Sequence, residues 1–160
     1  MGNLTVLALR IVLVMALAGS LFVQAVMVPL LAIDLEDVDV RVPVVVIVVL
    51  GIVTVQVTMV CVWRLLTMVR RGTVFSHAAF RYVDIVFGAV VAASLLIFGL
   101  GVTLAPGEGV APGVVLLIGG LGVLVAGIAL IVLVLRMLLA QAVALDAEAH
   151  HLQAELDEVI

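Results

Sequence analysis

The chain has 160 residues, 67% of them hydrophobic and 11% charged, and its mean hydropathy is +1.53. A soluble domain carries about 45–50% apolar and about 25% charged residues, so this chain lacks the polar surface to coat a water-soluble globule. It is also too apolar to stay disordered, and the composition reads as an all-α integral membrane protein. The net charge is −4, with seven arginines and no lysine. That leaves no clustered basic face, and no direct nucleic-acid binding is expected. Cys61 is the one cysteine, so neither an intramolecular disulfide nor a zinc motif can form.

A membrane helix needs about 20 mostly apolar residues. The first such run is 11–33, bordered by Arg10 and Asp34. Ala16, Leu17 and Ala18 before Gly19 imitate a signal-peptide cleavage site. Arg10 falls where the apolar core of a signal should be, and the run continues past the site, so it reads as a span. Residues 34–41 then carry four acids and one arginine, and Pro43 suits the first turn of the next helix. The second run is 44–63. Its valines would suggest a strand in water, but an isolated strand in lipid leaves its backbone unpaired. These runs also lack the alternation of a transmembrane barrel.

Residues 64–81 hold Arg64, Arg70, Arg71 and Arg81 and no acid. Gly72 is placed to end the second helix in a left-handed turn, and Ser76 to cap the next one. Arg81 and Asp84, three apart, can pair on one helix face, with Arg10 a competitor for Asp84. The third run is 85–104. A turn-rich connection at 105–113 has no room for a folded domain. The fourth run is 114–135. The positive-inside rule puts residues 64–81 in the cytoplasm, and both termini with them.

The spans carry no Asp, Glu, Lys or Arg, which disfavours a proton- or ion-coupled transporter. Gln24 and Gln56 are the costliest polar residues to expose to lipid. They suggest an interhelical hydrogen bond or, alternatively, a small polar site between spans one and two. Gly88 with Ala92, and Gly122 with Ala126, are small-xxx-small pairs suited to close packing or dimerisation. Ala18-Gly19-Ser20-Leu21 and Ala92-Ala93-Ser94-Leu95 hint at a tandem repeat of two hairpins.

Beyond Arg136 the helix is expected to continue. Leu138, Leu145, Leu152 and Val159 recur every seven residues, and Ala142, Ala149 and Leu156 follow the first three by four. This a/d stripe spans three heptads. Asp146, Glu148, Glu155, Asp157 and Glu158 make the rest strongly acidic, which disfavours docking on an anionic membrane. The domain division is therefore a four-helix transmembrane domain at 1–139 and a cytoplasmic tail at 140–160. Adjacent His150 and His151 point about 100° apart and cannot chelate from one face, so no metal is expected. No nucleophile–base pair is visible, and neither catalytic residues nor a cofactor are expected.

The turn Arg71-Gly72-Thr73-Val74-Phe75-Ser76, with Arg81 after it and set between spans two and three of four, resembles the bacterial membrane family called domain of unknown function 2975. The closing Glu155-Leu156-Asp157-Glu158-Val159-Ile160 is similar to that family's acidic, apolar end. His77, Ala78 and Ala79 depart from the polar or acidic residues the family often has after the serine. Members are often encoded beside a very small helix-turn-helix regulator. The resemblance therefore implies a non-enzymatic bacterial plasma-membrane protein that binds such a regulator. The candidate binding residues are Arg70, Arg71, Phe75 and Arg81 in the loop, with Leu145, Glu148, Leu152, Glu155 and Leu156 in the tail. The alternatives are a structural or homodimerising membrane protein, and a carrier of a small neutral solute using Gln24 and Gln56.

Overall fold

The computed structural model describes residues 2–35, 39–73, 76–107 and 109–160, and all regular structure among them is helical. Four helices are long and apolar enough to cross a membrane, as expected for a polytopic all-α protein. The first crossing is continuous but not uniform. It runs as α1 (Gly2–Phe22), a π turn (Val23–Met27) and α2 (Val28–Asp34). The cause is Pro29, which has no N–H and whose ring clashes with a carbonyl of the preceding turn. A wider turn relieves that clash. Val28 N–H accordingly reaches back five residues to the carbonyl of Val23.

The second crossing is α3 (Arg41–Arg70), the third α4 (His77–Leu104) and the fourth α5 (Pro112–Val159). Each outruns its apolar run, because leaving the hydrocarbon does not by itself end a helix. Pro43 lies in the first turn of α3. At the other end of α3 a specific stop acts. Gly72 takes φ +68, its N–H bonds Val69 O at 3.2 Å, and Thr73 N–H bonds Met68 O at 3.1 Å. This is a Schellman cap, and the left-handed residue it requires is cheapest as glycine. Ser76 occupies the N-cap position of α4 in extended backbone, but its side chain makes no capping bond. The expected hydroxyl cap is replaced by a backbone bond, Ala79 N–H to Ser76 O at 3.0 Å.

The crossings pack in chain order: the first against α3, α3 against α4, α4 against α5. The bundle is open, and all four crossings line an apolar groove of about 640 Å³ on its side. The buried residues form narrow stripes. On α4 they are Ala79, Val86, Ser94 and Gly101, and on α5 Gly122 and Ala129. Small residues dominate because helix association in lipid depends on close backbone approach rather than on burying apolar surface. Gly122 marks such an approach. A Cβ there would lie 3.1 to 3.2 Å from three ring atoms of Phe98. Ser94 Oγ donates to Gly122 O at 3.0 Å across the same contact. Gly122 thus faces α4, while Gly88 is exposed with open space beside it.

Candidate functional site

The side chains with chemistry lie in three groups. The first is inside the apolar layer. Gln56 Nε2 donates to Gln24 Oε1 at 2.9 Å and, more weakly, to Ser20 Oγ at 3.4 Å. The two glutamines therefore tie the first crossing to α3. Gln24 belongs to the π turn that Pro29 induces. Ser20 and Ser94, equivalent in the suggested repeat, have unlike surroundings. Ser20 Oγ donates to its own helix at Leu17 O, 2.8 Å away, whereas Ser94 joins two helices.

The second group lies at the arginine-rich end of the bundle. Arg136 of α5 pairs with Asp84 of α4 through Nε and Oδ1, and Nη2 donates to Oδ2 at 3.3 Å. This overturns the two pairings expected from sequence. Asp84 goes neither to Arg81, which is exposed, nor to Arg10. The reason is the α4–α5 contact, which brings a residue 52 positions away to the carboxylate. Arg10 turns instead to α3. Its Nη2 donates to Thr67 Oγ1 at 3.1 Å, and its guanidinium lies 5.1 Å from the centre of the Trp63 ring. Such stacking stabilises a cation without supplying a counter-charge. Arg10 Nε is buried and has no acceptor.

The third group is the candidate partner-binding set. Arg70, Arg71 and Arg81 are all exposed. Phe75, also in that set, lies outside the described residues. On the tail, every residue from 144 to 160 is exposed. Leu145 is 66% exposed, Leu152 53% and Leu156 62%, so the apolar stripe touches nothing in its own chain. Glu148 and Glu155 are exposed as well, and His151 Nε2 lies 3.4 Å from Glu155 Oε1 one turn on. His150 Nδ1 lies 2.9 Å from Asp146 O on another face. Among the described residues no hydrogen bond or ion pair links the arginine loop to the tail. The structure thus presents loop and tail as separate surfaces rather than as one assembled site.

Residues 30–160 match the family described as protein of unknown function (DUF2975). The chain belongs to this family. The match takes in α3, α4 and α5 whole, including the Gly72 cap and the acidic tail, and leaves out most of the first crossing. No curated protein and no solved structure is significantly similar to the chain. Membership in DUF2975 therefore brings no assigned activity.

Besides the Asp84–Arg136 pair, two features escaped the sequence. Arg10 is held by Thr67 and Trp63, a contact that requires knowing how α1 and α3 align. The π turn around Gln24 had a visible signal, a proline four residues before the end of a long apolar run, which read only as part of the span.

Proposed function

We propose that this protein is a non-enzymatic membrane anchor that holds a small, basic regulator of helix-turn-helix type at the inner face of a bacterial plasma membrane. The observation that carries the reading is the tail. At ~1.5 Å per residue, α5 is ~72 Å long, against about 30 Å of hydrocarbon. From residue 144, where unbroken exposure begins, to Val159 it projects about 23 Å. Over that length it presents a leucine stripe flanked by acids, with no cation after Arg136. A helix so exposed has a face suited to a protein, and its acidity selects a basic one. The positive-inside rule supports a cytoplasmic tail, since only Arg41 among the seven arginines lies at the opposite end. The family resemblance supports the class of partner.

The test is affinity purification from native membranes with and without residues 140–160. The expected result is recovery of a helix-turn-helix protein with the full chain and its loss on truncation. Recovery of that protein with both forms removes the tail from the mechanism. Recovery of the chain only with a second copy of itself favours the homodimer, for which the same exposed stripe would be the seam. The carrier reading has less support, because Gln24 and Gln56 bond to each other and the large groove is almost wholly apolar.

A further inference from the structure

The α1–α3 side carries positive charge that no described residue balances. No Asp or Glu occurs in residues 1–33 or 42–83, which cover α1 and all of α3 beyond its first residue. Asp84 follows, but it is engaged by Arg136. Among the described residues Arg10 is met only by a hydroxyl and an aromatic face, and its Nε lacks an acceptor. Arg64 is exposed and, among the described residues, has no hydrogen bond or ion pair. Both flank Trp63, at the level where a membrane helix meets the headgroups.

Directly below them lies a second groove, of about 380 Å³, between α1 and α3. Leu13, Leu17 and Leu21 form one wall and Met59 and Val60 the other, with Trp63 and Arg64 at its mouth. From Leu13 to Leu21 it runs ~12 Å along the helix axis. One leaflet of hydrocarbon is about 15 Å deep. The groove is thus an apolar channel of about one leaflet's depth, with the uncompensated Arg64 guanidinium in its lining.

We propose that this groove binds an anionic phospholipid, with an acyl chain along the leucine wall and the phosphate on Arg64. Guanidinium is the side chain best matched to phosphate, through paired N–H donors in one plane. A zwitterionic lipid offers the same acyl chains, but its choline cancels the charge of its phosphate and it brings no net charge to neutralise Arg64. The site is independent of the role of the tail.

Trp63 is the one tryptophan in the chain and lines the groove, so its fluorescence reports the site directly. The protein is reconstituted in vesicles containing either brominated phosphatidylglycerol or brominated phosphatidylcholine at equal mole fraction. Phosphatidylglycerol is expected to quench with an association constant about fivefold higher, the preference that one interfacial arginine confers. R64Q should bring the two lipids to parity, while R70Q, outside the groove, should keep the preference. Helical circular dichroism of R64Q verifies its fold; A18L, which fills the groove, should weaken quenching by both lipids. Equal quenching in the unmodified protein overturns the proposal, as does a preference that survives R64Q. Shielding from both lipids also overturns it, since the groove would then be covered by a second copy.

Discussion

The first crossing and α5 are each attached to the rest of the bundle, but by different chemistry. At the α4–α5 seam, shape does the joining. Gly122 lets the Phe98 ring against the α5 backbone, Ser94 bonds that backbone, and Asp84 with Arg136 closes the end. At the seam between the first crossing and α3, polar side chains do it: Gln56 to Gln24 and Arg10 to Thr67, with grooves on either side. In lipid the hydrophobic effect does not drive helices together, so either close packing or hydrogen bonds must. The close-packed seam is expected to be the stiffer of the two, and the polar one to be open to lipid.

Substitutions at the two seams should separate in size. Gly122→Val forces branched carbons against the Phe98 ring and is expected to destabilise by about 1–3 kcal/mol, the usual cost of overpacking. Unfolding in mixed micelles measures it, and a neutral result would mean that α4 and α5 are not in close contact there. Asp84→Asn breaks the pair with Arg136. Both side chains are more than a third exposed, so the loss should not exceed about 1 kcal/mol. The exchanged pair D84R/R136D should recover most of it. Gln56→Leu should cost about 0.6 kcal/mol, the average for an interhelical hydrogen bond in a membrane. In a double-mutant cycle with Gln24→Leu, the second change should add little once the first is made. Removal of residues 140–160 should leave the stability of the crossings within about 0.5 kcal/mol, because that segment is exposed.

What was legible in the sequence follows the reach of each interaction. The four crossings were readable because a bilayer imposes a fixed apolar length on consecutive residues. The Gly72 stop and the uninterrupted α5 were readable for the same reason, since caps and heptads are local patterns. The partner of Asp84 was not. Arg81 is three residues away and visible along one helix, whereas Arg136 becomes a neighbour only when α4 and α5 pack. Arg10 illustrates the same limit, because Thr67 lies 57 positions away. Ser76 shows a finer one: its type and position marked the start of α4, but the hydroxyl's orientation is set by its surroundings. Of the candidate binding residues, Leu145, Leu152 and Leu156 are exposed in the structure, and membership in the family assigns them no partner.

The anchoring role turns on what the tail stripe meets. A photoreactive residue at Leu152, with a second preparation labelled at Val102 on the exposed surface of α4, tests this in intact native membranes. The expected result is a crosslink from position 152, and not from 102, to a small basic helix-turn-helix protein. A crosslink from position 152 only to a second copy of the chain, or to lipid, would contradict the anchoring role.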